Sequence, residues 1–152
     1  MRRGTGGAAG QADPLKLVVD TNVLVSGLLW SGAPRRLIEE IIAGNAELVT
    51  SVSILAELDD VLRRAKLRRK LAASRGSAEQ HVSAILLLAT LVTPAELPPL
   101  STDPYDTMIL GTAVASRADM IVTGDHGLLG LRQVGSIRIG RVADALIALR
   151  TS

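Results

Sequence analysis

Cysteine is absent from this chain of 152 residues, and aromatic residues are nearly so, with one tryptophan, one tyrosine and no phenylalanine. Without cysteine, a disulfide framework, a thiol nucleophile and a cysteine-based zinc site are all excluded. The core must be aliphatic, and a nucleic-acid site could not depend on rows of stacked rings. Any metal ion would be held mainly by oxygen.

Long apolar runs are also lacking. The longest mainly apolar run, Ala84 to Val92, falls well short of the roughly 20 residues that a membrane-spanning helix needs. The opening residues 1–7 include basic side chains but no apolar stretch of the secretory kind. We therefore expect a soluble, cytoplasmic protein without a membrane partner.

The length and the 47% share of hydrophobic residues fit one globular domain with a single core. Residues 1–14 have no apolar period, so we predict a flexible tail there and one domain over residues 15–152. The net charge of +2 is mildly basic, which permits a polyanionic partner without requiring one.

Short β-branched runs alternate with segments of helical periodicity. Strands are predicted at 15–19, 47–50, 92–93, 120–123 and 137–139. Helices are predicted at 23–30, 34–43, 51–70, 78–91, 103–116 and 142–149, with a turn at 124–127. This alternation predicts an α/β fold, a three-layer α/β/α arrangement with a central, mostly parallel sheet. Ligands bind such sheets beyond the carboxyl ends of the strands.

Carboxylates recur at the edges of the apolar segments, namely at Asp20, Glu57, Asp103, Asp106 and Asp125. Asp20 and Asp125 directly follow predicted strands, so both should emerge at the same edge of the sheet. Asp106 precedes Ile109 and Leu110 by three and four residues and therefore points to the inward face of its helix. The pattern predicts a shared acidic site.

Each acid alone also has a purely structural interpretation. Asp20 could cap the helix that follows it, and Glu57 could be an ordinary residue flanking an apolar stripe. Asp103 before Pro104 fits a helix N-cap, and Asp125 could form a turn. The combination favours a site, because carboxylates brought together repel one another unless a cation neutralises them. Such oxygen ligands suit Mg²⁺ or Mn²⁺, ions that activate water and stabilise charge on phosphate.

Four segments carry a family resemblance. They are Val-Val-Asp20-Thr-Asn-Val-Leu; Ser53-Ile-Leu-Ala-Glu57-Leu; Asp103-Pro-Tyr-Asp106 followed by Ile109, Leu110 and Ala113; and Ile-Val-Thr-Gly-Asp125 followed by Leu128-Leu129. In this order and spacing the chain resembles the PIN-domain family of small metal-dependent ribonucleases, above all the PIN-type toxins of bacterial toxin–antitoxin pairs. The resemblance extends from about Lys16 to Leu149.

The resemblance implies a site and its residues. The catalytic pocket that holds Mg²⁺ or Mn²⁺ would consist of Asp20, Glu57, Asp106 and Asp125. The supporting positions would be Asp103, Asn22 and Thr123. In one departure, Thr107 stands where the subgroup often has a further acid, so the division of roles between Asp103 and Asp106 stays open.

The resemblance also implies an activity and its partners. The activity would be hydrolysis of RNA phosphodiester bonds by metal-activated water, without a covalent intermediate. Asp20, Asp106 and Asp125 would hold the ion, and Glu57 would hold it or a second ion and help to orient water. The implied partners are an RNA substrate, a cognate antitoxin and a second copy of the chain in a homodimer.

The densest basic run lies between Arg63 and Lys70. On a continuous helix, Arg64 and Arg68 would share a side with Glu57 and could hold an RNA backbone led past the acids. A solvated or partner-binding surface is the alternative, because favourable i,i+4 pairs join Asp59 to Arg63 and Asp60 to Arg64. Tyr105 could stack on a base or fill a surface gap.

Two other functions are compatible with the sequence. A PIN-fold module could bind RNA or a protein without cutting RNA. Alternatively, Asp20 could act as an aspartyl nucleophile on phosphorus, but such enzymes usually have a second acid two residues later, where this chain has Asn22.

Overall fold

A central β-sheet organises the chain, whose computed structural model describes residues 13–99 and 103–151. The strands are β1 (Leu15–Val19), β2 (Ala46–Thr50), β3 (Thr90–Leu91), β4 (Met120–Val122), β5 (Gln133–Val134) and β6 (Ile137–Gly140). They form one six-stranded sheet in the order β3-β2-β1-β4-β6-β5. Every neighbouring pair is parallel except β5 and β6. The predicted three-layer, mostly parallel α/β fold is confirmed.

Helices flank this sheet. They are α1 (Thr21–Leu29), α2 (Ala33–Ile42), α3 (Val52–Leu62), α4 (Arg68–Ala73), α5 (Ala78–Leu88), α6 (Pro104–Ser116), α7 (His126–Leu131) and α8 (Val142–Thr151). The predicted bounds of α1, α2, α6 and α8 agree with the structure to within two residues. Among the described residues, no helix has the length and apolar character needed to cross a membrane. Most of the predicted tail, residues 1–12, lies outside the described residues.

The core is aliphatic, as predicted. Leu17 and Val18 of β1 are fully buried, because β1 lies between β2 and β4 and is covered on both faces. Strands that are buried on both faces have continuously apolar sequences rather than alternating apolar and polar residues. The largest fully buried side chains are leucines and isoleucines throughout.

The predicted helix over 51–70 is wrong in its second half. Helix α3 ends at Leu62, Arg64 is extended, and a short 3-10 turn at Ala65–Leu67 precedes α4. A continuous helix would carry Lys66, four residues after the fully buried Leu62, toward the core. The turn instead buries Leu67. Arg68 therefore begins a separate helix and does not share a helical face with the residues of α3.

Three further predictions need correction. Helix α5 ends at Leu88 rather than at residue 91, and β3 lies at 90–91 rather than 92–93. The predicted turn at 124–127 runs into α7, which starts at His126. The short strand β5 was missed; it pairs with β6 across a turn in which Gly135 has a φ of 58°, a conformation that favours glycine.

A close backbone approach holds α6 against the segment that follows β3. The amide of Ala95 donates to the carbonyl oxygen of Gly111 at 2.9 Å. A Cβ atom at Gly111 would lie 2.5 Å from the carbonyl oxygen of Ala95, closer than van der Waals contact permits. The packing of α6, and with it the position of its first turn, therefore requires glycine at this point.

We expect Gly111→Ala to destabilise the protein by about 1–3 kcal/mol, because the added methyl group overpacks this contact. Urea-induced unfolding measures the change. Gly130→Ala is the matched control, since nothing lies within 4 Å of the added Cβ in α7; it should be neutral or stabilising by up to about 1 kcal/mol. Equal effects of the two substitutions would contradict the prediction.

Candidate active site

A cleft of about 300 Å³ opens at the carboxyl edge of the sheet. Its lining residues are Asp20, Thr21, Asn22, Glu57, Asp103, Tyr105, Asp106 and Asp125. Asp20 follows β1, Glu57 lies on α3 directly after β2, and Asp125 follows β4. The parallel sheet thus brings these five acids, which are distant in sequence, to one cleft. Asn22 also lies there.

Asp20 is held by the sheet and by two hydroxyl groups. Its amide donates to the carbonyl oxygen of Val122 at 2.9 Å, which continues the sheet hydrogen bonding one residue past β1. Its carboxylate does not cap α1. One oxygen, Oδ1, accepts from the Tyr105 hydroxyl at 3.0 Å, and the other, Oδ2, accepts from the Thr123 hydroxyl at 2.6 Å. Although only 4% exposed, the carboxylate lines the cleft.

Thr123 joins two of the acids. Its side chain is buried, and its hydroxyl donates to Asp20 while accepting from the backbone amide of Asp125 at 3.0 Å. Its own amide donates to Gly140 of the neighbouring strand at 2.9 Å. Thr123 therefore lies between Asp20 and Asp125 and hydrogen-bonds to both residues.

Asp106 and Asp125 face a common small space. Asp106, in the first turn of α6, is 5% exposed, whereas Asp125 is exposed and caps α7 by accepting from Leu128 N at 2.9 Å. A Cβ atom at Gly127 would lie 3.0 Å from Asp125 Oδ2 and 3.5 Å from Asp106 Oδ2. The absence of a side chain at Gly127 leaves this space open between the two carboxylates.

Asp103 and Glu57 lie toward the outside of the cleft. Asp103 accepts from Tyr105 N at 2.9 Å and is the N-cap of α6, so its structural interpretation is correct although it also lines the cleft. The Glu57 side chain is 40% exposed, with its Oε2 at 3.9 Å from the Arg64 guanidinium. Arg64 also lies 3.6 Å from Asp60. Such exposed pairs contribute little to stability.

Of the two arginines predicted to flank the acids, Arg64 lies at the edge of the cleft through its contact with Glu57. Arg68 does not lie on the helix of Glu57, because α3 ends at Leu62. Arg64 is extended and also lies beyond the end of α3. The prediction that both arginines share a helical side with Glu57 is therefore wrong for both, although Arg64 still contacts Glu57.

Tyr105 has a role at the site that the sequence did not reveal. Its hydroxyl donates to Asp20, accepts from Thr21 N at 3.1 Å and also contacts the Thr21 hydroxyl. Burial, and then the negative charge of Asp20, raise the pKa of Tyr105 above its ordinary value. The hydroxyl therefore keeps its proton for the bond to Asp20. In the sequence, the only sign of this role was the position of Tyr105 between two acids at the predicted start of a helix.

The donor set fits a hard divalent cation. No three acidic or histidine side chains of the described residues converge closely enough to enclose an ion unaided. Mg²⁺ does not require such a cage, because it usually keeps several waters and binds through one or two carboxylates. The space above Gly127, with a carboxylate oxygen of Asp106 and of Asp125 near it, suits that mode of binding.

The comparison with known families decides the classification. Residues 16–127 match the family model described as PIN domain. The chain belongs to the PIN domain family. PIN domains are generally nucleases and typically use divalent metals. This PIN domain is also 29% identical over 119 residues to the uncharacterized protein MJ1680 of Methanocaldococcus jannaschii, a match that covers 78% of the chain and 76% of that protein.

Solved structures share the fold of this PIN domain. PAE2754 from Pyrobaculum aerophilum matches with a TM-score of 0.59 at 20% identity, over 98% of this chain and all of that one. A chain in the structure of VapBC2 from Rickettsia felis, bound to a DNA fragment from their promoter, matches with a TM-score of 0.53 at 15% identity. That match covers 82% of this chain and 97% of the other.

The single tyrosine makes the environment of the cleft directly measurable. Because the pKa of Tyr105 is raised in the folded state, we expect no tyrosinate absorbance from the folded protein at about pH 10, where free tyrosine is half ionised. The neutral hydroxyl then stabilises the fold fully below about pH 10, and this contribution is lost as pH rises further. Ultraviolet titration of folded and urea-unfolded protein tests this; identical curves would contradict it.

Proposed function

We propose that this PIN domain is a Mg²⁺- or Mn²⁺-dependent endoribonuclease that hydrolyses RNA phosphodiester bonds. The observation that carries the proposal is the cleft at the carboxyl edge of the sheet, where acids from four separate parts of the chain meet. Membership of a family whose members are generally nucleases supports it. The absence of a second acid at Asn22 argues against an aspartyl nucleophile at Asp20.

In this proposal the residues have distinct roles. The metal ligands are Asp20, Asp106 and Asp125, and Glu57 either holds the same ion or a second one and helps to orient water. Asp103, Asn22 and Thr123 shape the cleft. A bound ion would lower the pKa of a water molecule and stabilise negative charge on the scissile phosphate. The Thr123 hydroxyl, which donates to Asp20 at 2.6 Å, keeps that carboxylate oriented.

Two basic residues, Arg64 at the edge of the cleft and Arg68 on α4, would hold the RNA backbone. Arg64 contacts Glu57 at 3.9 Å, so it can exchange this exposed ion pair for a phosphate at low cost. Arg68 is exposed on α4 and is proposed as a second phosphate contact. Backbone contacts of this kind position RNA without reading its bases.

We further propose that the protein is the toxin of a toxin–antitoxin pair. The sequence resemblance to PIN-type toxins and the shared fold with a chain of VapBC2 support this. A cognate antitoxin would cover the acidic cleft and restrain cleavage in the cytoplasm. The same family resemblance suggests a homodimer.

A module that binds RNA or protein without cutting is the second candidate. The observation in its favour is that no three acids of the described residues enclose an ion by themselves. Against it, all the acids that the family resemblance assigns to the pocket line one cleft. Metal-dependent turnover separates the two functions.

We expect the purified protein to cut a mixed RNA pool with Mn²⁺ and not with EDTA. Asp20→Asn should lower the rate roughly 100-fold or more, since even the loss of a hydrogen-bond partner of a metal ligand commonly costs 10–100-fold. Asp59→Asn is the matched control, because Asp59 pairs with Arg63 on the surface of α3 and should leave the rate unchanged. Equal cutting by all three proteins would point to a contaminating nuclease. No cutting by the folded parent would favour the binding module.

We also expect Gly127→Ala to weaken Mn²⁺ binding by roughly tenfold, because its methyl group would enter the space between Asp106 and Asp125. Isothermal titration calorimetry measures the affinity. Gly130→Ala adds the same methyl group to α7 where nothing lies within 4 Å, and it should bind Mn²⁺ as the parent does. Unchanged affinity in Gly127→Ala would show that the ion does not lie there.

A further inference from the structure

Tyr105 lines the cleft, and its uncharged side chain is in direct contact with a proposed metal ligand. Its hydroxyl oxygen lies 3.0 Å from Asp20 Oδ1. The PIN-family resemblance gave it no role, and the proposed mechanism does not need it as an acid, a base or a ligand. Its contacts therefore require a separate explanation.

The first effect of the contact is on the orientation of Asp20. The last torsion of an aspartate side chain has a broad energy minimum, so the plane of a free carboxylate turns easily. Here the two oxygens accept from hydroxyls on different elements, Oδ1 from Tyr105 of α6 and Oδ2 from Thr123 after β4. These bonds fix the plane, and each oxygen retains acceptor capacity for a cation.

The surroundings of the hydroxyl direct its proton. The amide of Thr21 donates to the Tyr105 oxygen at 3.1 Å, and the Thr21 hydroxyl contacts the same atom. Because an amide can only donate, the tyrosine oxygen accepts from Thr21 N. Because an ionised carboxylate can only accept, the one proton of the hydroxyl is directed to Asp20. Thr21, the residue next to Asp20 in sequence, thus holds the group that orients Asp20.

The second effect is on α6. Tyr105 and Asp106 are neighbours in the first turn of this helix. The bonds from the Tyr105 hydroxyl to Asp20 and Thr21 join that turn to the end of β1 and the start of α1. The same contact therefore fixes the position of Asp106 relative to Asp20.

We propose that Tyr105 is a positioning residue whose hydroxyl orients Asp20 and docks the first turn of α6, so that Asp20 and Asp106 present their oxygens to one divalent cation. This inference rests on the proposed function. It predicts that the hydroxyl controls metal affinity while the ring contributes to packing. The two contributions are separable, because phenylalanine keeps the ring.

The test is Tyr105→Phe, with Mn²⁺ affinity measured by calorimetry on the whole protein. We expect the affinity to fall roughly tenfold, as is typical when a partner of a metal ligand is removed. In RNA cleavage, the Mn²⁺ concentration for half-maximal rate should rise by a similar factor, and saturating Mn²⁺ should restore most of the rate. Ser116→Ala is the control, because it removes a hydroxyl at the far end of α6 that bonds only to backbone oxygens.

Thermal unfolding without metal distinguishes positioning from packing. A lower melting temperature of Tyr105→Phe with unchanged Mn²⁺ affinity would show a purely structural role and overturn the inference. Parental affinity and stability in the variant would overturn it as well, while the proposed nuclease function would stand. If the folded parent binds no Mn²⁺, the proposed function fails and this inference fails with it.

Discussion

Hydrogen bonding of the parallel sheet beyond the ends of its strands is the constraint on which the cleft depends. The amide of Asp20 bonds to Val122 and the amide of Thr123 to Gly140, each at 2.9 Å. Asp20 and Thr123 are therefore held as firmly as strand residues although they lie at the edge where ligands bind. The first turns of α6 and α7 pack against this edge. Their acids are placed relative to a rigid reference rather than to loops.

The donors that contact Asp20 and Asp125 are neutral. Asp20 accepts from two hydroxyls, and Asp125 accepts from a backbone amide. Neutral donors stabilise a carboxylate in its charged form without cancelling its charge. Arg64, the cation in contact with Glu57, is half exposed and divides its charge between two acids. The hydrogen bonds to Asp20 and Asp125 therefore leave the charge of these carboxylates uncancelled, which favours binding of a cation.

Much of the fold and of the site was predictable because the relevant signals are local. Apolar runs mark the buried strands, and an acid directly after a strand must emerge at the carboxyl edge of a parallel sheet. The end of α3 was harder to predict, because no glycine or proline marks it. The end of α3 depends on two competing conformations. A continued helix would turn Lys66 toward the core, whereas a turn buries Leu67 instead. Such competition depends on the shape of the assembled core.

The role of Tyr105 could not be predicted for a related reason. Its partners, Asp20 and Thr21, are more than 80 positions away in the chain, and no local pattern encodes that distance. The two roles considered for it, base stacking and filling a surface gap, both concern the ring. The contacts that distinguish this tyrosine belong to its hydroxyl, which becomes informative only when α6 is docked on the end of β1.

The two edges of the sheet affect how this protein can associate. Each edge strand, β3 or β5, is only two residues long. An edge of that length offers few free backbone groups to a strand from another chain, which lowers the risk of aggregation through edge pairing. It also makes strand addition, a common mode of peptide recognition, a poor route to complex formation. Apart from the acidic cleft, the surfaces left for partners are the helical faces, where Leu87 of α5 and Ile147 of α8 are exposed to solvent.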